Sequence, residues 1–61
     1  MNEQALIDTA EAARLLRKKP ESLRNDRHLG RGVDYYKMGK KVFYAIEDIQ
    51  AFIENSKVKV S

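Results

Sequence analysis

The chain contains no cysteine. In 61 residues that is a severe restriction. A domain this short buries only about 60% of the surface it exposes when unfolded, and here neither a disulfide framework nor a thiolate zinc site can compensate. The single histidine, His28, cannot assemble a metal site alone. Stability must therefore come from an efficient core, short loops and well-capped elements. Hydrophobic residues make up 43% of the chain and charged residues 34%, a globular balance and not a disordered one. No apolar run approaches the ~20 residues of a membrane span. The Met1-Asn2-Glu3-Gln4 start lacks the basic and then apolar character of a signal peptide. The expectation is one domain over residues 1–55, a frayed polar tail over 56–61, a cytoplasmic location and no membrane contact.

Local signals divide that domain into four elements. Asp8-Thr9-Ala10-Glu11 reads as a capping box, in which Asp8 accepts from first-turn amides and Glu11 reaches back. Ala12, Ala13, Leu15 and Leu16 follow at helical spacing, so a first helix is expected over Thr9–Arg17, with its alanines permitting close approach of another helix. Pro20 suits the first turn of a second helix through His28, and Gly30 suits the left-handed position after it. Two short helices joined by a tight turn make a helix-turn-helix. Beyond the Gly30-Arg31-Gly32 connector, Tyr35-Tyr36-Lys37-Met38 and Lys41-Val42-Phe43-Tyr44 flank Gly39-Lys40, as in a hairpin with a type II′ turn. Tyr35, Tyr36, Met38, Val42 and Tyr44 are expected in the core against the helices, and Phe43 on the opposite face. Ile46, Ile49, Phe52 and Ile53 mark a last helix over Ile46–Asn55, with Glu47 and Asp48 in its first turn. The expected fold is α+β, in the order helix, helix, β-hairpin, helix: a small winged helix-turn-helix.

Charge is segregated along this order. Ten of the twelve Lys and Arg residues fall between Arg14 and Lys41, against three acids, Glu21, Asp26 and Asp34. The flanking stretches 1–13 and 42–55 contain acids and no base. A basic middle between acidic ends points to one charged face, and such a face attracts a polyanion, most commonly nucleic acid. The plainer alternative is a solvated surface that happens to be basic. An enzyme is not expected: there is no phosphate-binding glycine loop, no cysteine nucleophile and no cluster of His with carboxylates. No cofactor is implied.

Within the basic stretch the residues fall into three groups. The second helix of a helix-turn-helix enters the DNA major groove, which makes Glu21, Ser22, Arg24, Asn25 and His28 candidates for base readout. Arg24 and Asn25 lead, because their donors match guanine and adenine edges. Arg17, Lys18 and Lys19 in the turn, and Arg27, are candidates for phosphate contact, helped by the amide end of the second helix. Lys37, Gly39, Lys40 and Lys41 form a basic hairpin beside that helix, a wing able to reach a neighbouring groove or backbone. The plainer alternative for these lysines is edge protection, since lysine on edge strands discourages aggregation. Phe43 could stack on sugar, pack on a partner or cover the back of the hairpin.

The ordered set Glu11-Ala12-Ala13-x-Leu15-Leu16, Pro20-x-x-Leu23-Arg24, Gly30-x-Gly32, Tyr36-Lys37-Met38-Gly39-Lys40-Lys41-Val42-x-Tyr44 and Asp48-Ile49-x-Ala51-Phe52-Ile53 resembles the small excisionase and AlpA-like group of MerR-type winged helix-turn-helix domains. The likeness spans Ile7 to Glu54. It implies a DNA-binding accessory factor of a phage, prophage or other mobile element that bends DNA as a recombination directionality factor, or an AlpA-like transcriptional regulator of element genes. It further implies an integrase as partner, cooperative self-association on repeated sites and a nucleoid-associated location. The chain departs from the pattern at Asp26, where an aromatic is common, at Val33-Asp34, where prolines often stand, and at Phe43, where a base is frequent. Lys19 also stands where a Ser or Thr N-cap is usual. A protein-interaction module using the hairpin is the alternative from another class.

Overall fold

The computed structural model of the chain describes residues 5–60. They form a small α+β fold of three helices and a three-stranded antiparallel sheet. The elements run β1 (Leu6–Asp8), α1 (Thr9–Leu16), α2 (Pro20–His28), β2 (Tyr36–Met38), β3 (Lys41–Ala45) and α3 (Ile46–Asn55), with sheet order β1-β3-β2. Strand β1 was not expected. Three residues are too few to display an alternation, yet Leu6, Ile7 and Asp8 pair with Ala45, Tyr44 and Phe43, and the Ile46 amide donates to Ala5 O at 2.9 Å. This added strand makes β3 the centre of the sheet, so the hairpin leans on β1 as well as on helices, as a two-stranded ribbon must.

The helix ends explain their boundaries. Asp8 accepts the Glu11 amide at 2.8 Å, the forward half of the expected capping box. The reciprocal half is absent, because the Glu11 carboxylate is taken by the Arg14 guanidinium one turn on, with Nε at 3.0 Å. Helix α1 stops at Leu16, one residue short of expectation, since Arg17 turns left-handed at φ 57°. The Arg17 amide donates to Arg14 O and the Lys18 amide to Ala13 O. Helix α2 closes with the same pair of bonds, Gly30 to Arg27 O and Arg31 to Asp26 O, with Gly30 supplying the left-handed residue as expected. In α3, the Ser56 amide and hydroxyl both donate to Phe52 O. Residues 57–60 carry no regular structure and leave Val58 and Val60 exposed; Ser61 lies outside the described residues.

The core is small. Ala12, Ala13, Leu23, Val33, Tyr44 and Ile49 are buried together, with Ile7, Leu16, Val42 and Phe52 packed against them. Helix α1 is its hub and packs on α2, α3, β1 and β3. Its two alanines are essentially inaccessible, so the neighbouring backbones approach closely. Leu15 and Ile53, expected in the apolar stripes, face solvent at the stripe edges.

The hairpin corrects a larger expectation. Gly39 has φ 64° and Lys40 is not left-handed, as a II′ turn requires, and this two-residue loop pairs Met38 with Lys41, Lys37 with Val42 and Tyr36 with Phe43. Directly opposed residues share a face. The helix-facing side of the sheet therefore carries Ile7, Val42, Tyr44 and Lys37. Tyr36 and Met38 lie on the other side with Phe43 and Lys41, and both are exposed. Tyr35, also expected in the core, is half-exposed and set against the Tyr44 ring at 6.2 Å between centroids.

Candidate nucleic-acid interface

Helix α2 buries one apolar side chain, Leu23, at 3% exposure. Pro20, Asp26 and Arg27 are half-buried beside it, and Glu21, Ser22, Arg24, Asn25 and His28 are exposed. With about 3.6 residues per turn, Glu21, Arg24, Asn25 and His28 fall within an arc of about 100° opposite Leu23. All five residues expected to read bases thus lie on the open side of α2. Its amide end offers little to an anion: Pro20 has no N–H, and the Ser22 and Leu23 amides donate to Lys19 O at 2.9 and 3.4 Å. At most the Glu21 amide remains, which reduces the expected helix-end contribution.

The phosphate group divides. Arg17, Lys18 and Lys19 are all exposed in the turn. Lys18 Nζ reaches Asp26 Oδ2 at 3.5 Å and lies 5.9 Å from the centre of the Phe52 ring. Arg27 is different. Its Nη1 donates to Tyr44 Oη at 2.7 Å and to Thr9 Oγ1 at 3.3 Å, and its guanidinium carbon lies 5.7 Å from the Tyr35 ring centre and 5.9 Å from that of Tyr44. The side chain expected at a phosphate is directed into the fold. Helical position is the signal for this, since Arg27 follows Leu23 by four residues and so shares its inward side.

Arg31 lies in the Gly30-Arg31-Gly32 connector, to which the sequence assigns no role. Its side chain is 65% exposed and its Nε donates to Asp26 Oδ1 at 3.1 Å. Lys18, Asp26, Arg31, Gly32 and Phe52 line one shallow cleft. The Arg31 hydrogen bond, with the charge of Lys18 beside it, holds the Asp26 carboxyl below its ordinary range against the opposing effect of burial. Gly32 allows this closeness: a Cβ there would lie 3.2 Å from Asp26 Cβ, and its φ of 91° disfavours any side chain. The signal in the sequence is the place of Arg31 within the basic stretch.

On the hairpin, Lys37, Gly39, Lys40 and Lys41 are all exposed. The register puts Lys37 and Lys41 on opposite faces. Lys37 shares its face with Tyr44, where Arg27 of α2 docks, so Lys37 and α2 lie on the same side of the sheet. Arg17, Lys19, Arg24, Lys37, Lys40 and Lys41 make no ion pair among the described residues. No three metal-ligating side chains cluster among the described residues, and no helix there is long and apolar enough to cross a membrane.

Comparison of the chain with known protein families, with curated proteins and with solved structures finds no match. The functional reading therefore rests on the residues and their geometry.

Proposed function

We propose that the protein is a sequence-specific, double-stranded-DNA-binding accessory factor built as a small winged helix-turn-helix, with α2 entering the major groove and the β2–β3 hairpin acting as the wing. In this reading it is excisionase-like: a factor of a mobile element or prophage that binds and bends DNA in the bacterial cytoplasm, catalyses no reaction, and works with an integrase and with further copies of itself on repeated sites. The observation that carries the reading is the open side of α2, where polar groups able to address base edges are concentrated over a helix that buries only Leu23. Support comes also from the six exposed cations of the turn, α2 and hairpin that have no internal ion-pair partner among the described residues.

The test is affinity for duplex DNA flanking the protein's own coding region, measured over a range of salt. Each neutralised phosphate contributes about −0.9 to the log–log slope, so binding through several cations falls steeply with salt. A flat salt dependence would instead indicate an apolar protein-interaction surface on the hairpin. An AlpA-like transcriptional regulator shares every feature above and is separated by assay. The excisionase reading requires altered direction of integrase recombination on attachment-site DNA, whereas a regulator alters promoter output with no integrase present.

A further inference from the structure

We propose that Arg27 is a positioning residue: through the buried hydroxyl of Tyr44 it fixes the rotation of α2 about its own axis, and so decides where Arg24 and His28 are aimed. The consequence for base reading rests on the DNA-binding function proposed above, while the effect on α2 stands without it.

One guanidinium joins three parts of the fold to α2. It donates to Thr9, the first residue of α1, and to Tyr44 in the middle strand, and it lies against the ring of Tyr35, which leads into β2. Tyr44 is 1% exposed, so its hydroxyl depends on the protein for a partner, and Arg27 supplies a charge-assisted one at 2.7 Å. No buried side-chain polar atom is left unpaired among the described residues.

Helix α2 needs such a fixture. Its one buried side chain, Leu23, gives a point of attachment, and a single point permits the helix to roll. Arg27, one turn further on, gives a second point toward Tyr35 and β3. Asp26 gives a third on the other side, through Lys18 and Arg31. A roll of about 15° on a helix of about 5–6 Å radius displaces a side-chain tip by about 1.4 Å. Recognition geometry tolerates about 0.5 Å. Arg24 and His28 are carried by the same helix as Arg27, so any such roll displaces their tips.

Two variants test the assignment. Tyr44→Phe keeps the ring and removes a hydroxyl too deeply buried to reach DNA. Arg27→Met removes the charge and the fork. Without DNA, amide hydrogen exchange in Tyr44→Phe is expected to accelerate about tenfold in α2 relative to α1 and α3. With DNA, both variants are expected to lower the ratio of affinity for the footprinted site to affinity for a random duplex by about tenfold, with the random-duplex salt slope unchanged. The assignment is overturned if Tyr44→Phe leaves both α2 exchange and that ratio at wild-type values. It is overturned equally if Arg27→Met shrinks the salt slope by about one unit at constant ratio, the mark of a phosphate contact. A wild-type protein that binds no duplex sinks the DNA reading, and the exchange measurement then decides the positioning role alone.

Discussion

Asp26 and Arg31 close the end of α2 twice over. The Asp26 carboxylate accepts from Arg31 Nε at 3.1 Å, and the Asp26 carbonyl accepts from the Arg31 amide at 2.9 Å. Side chain and backbone thus fasten the same two residues, and Lys18 from the preceding turn adds to the carboxylate. The junction that carries the chain from α2 toward the hairpin is set by this cluster.

A pH dependence follows from it. The Asp26 carboxyl is lowered from the ordinary aspartate value of 3.8, chiefly by the Arg31 hydrogen bond. A carboxyl with a depressed folded-state value binds protons more readily when unfolded. Its contribution is complete above the unfolded value and is lost as pH falls through the folded one. Glu11, lowered mainly by its hydrogen bond from Arg14, acts with the same sign. Acid unfolding followed by circular dichroism should therefore show a shallower loss below pH 4 in Asp26→Asn than in the wild type. Equal acid slopes would remove Asp26 from this role. If the DNA reading holds, the same variant, with Lys18 and Arg31 released, binds random duplex more tightly and with a steeper salt slope.

Arg17 holds a left-handed conformation at φ 57°, a position that glycine fills without strain. Arg17→Gly should stabilise the fold by about 1 kcal/mol. On the proposed DNA-binding function it should also weaken duplex binding, because one cation of the turn is gone. Thermal melting and binding measured on the same variant should move in opposite directions.

Gly30 and Gly32 separate strain from crowding. Both have positive φ, but a Cβ at Gly30 meets open space while one at Gly32 meets Asp26. Gly30→Ala should cost about 1 kcal/mol from conformation alone. Gly32→Ala should cost more and should also disturb the Asp26 cluster, read as a larger loss in chemical denaturation and a smaller pH effect.

Arg24→Ala should lose about 1–3 kcal/mol on the correct site and relax base preference there, whereas Lys40→Ala should weaken all sequences alike and shrink the salt slope by about one unit. Competition binding against single-base variants of the site distinguishes the two. An Arg24→Ala protein with unaltered affinity and preference would mean that α2 is not the reader.

The two faces of the hairpin give a further contrast. Lys37 shares the α2 side of the sheet and Lys41 does not. On the proposed DNA-binding function, Lys37→Ala should therefore reduce duplex affinity more than Lys41→Ala, and titrations at one low salt concentration test this.

Much of this fold was readable wherever the signal was local. Pro20 opening α2, Gly30 closing it, Asp8 capping α1 and Gly39 turning the hairpin are properties of one residue and its immediate neighbours, and each stands where expected. The outward set of α2 is expected from the helix-turn-helix arrangement, and helical spacing around Leu23 agrees with it. The facing of Tyr36 and Met38 is legible too, and it runs against the expected core placement: a two-residue turn fixes which residues oppose each other, and that parity sends them away from Val42 and Tyr44.

The sequence by itself determined the helices, the turn chemistry and a basic middle segment, because hydrophobic spacing, proline, glycine and charge act over a few residues. Only the tertiary structure decided that Leu6–Asp8 is a strand, that the inward-facing Arg27 finds the Tyr44 hydroxyl, and that Arg31 and Lys18 meet at Asp26. Each of these depends on groups far apart in the chain. A three-residue strand exists through its pairing with β3, and a guanidinium turns inward only when a buried tyrosine hydroxyl is there to receive it.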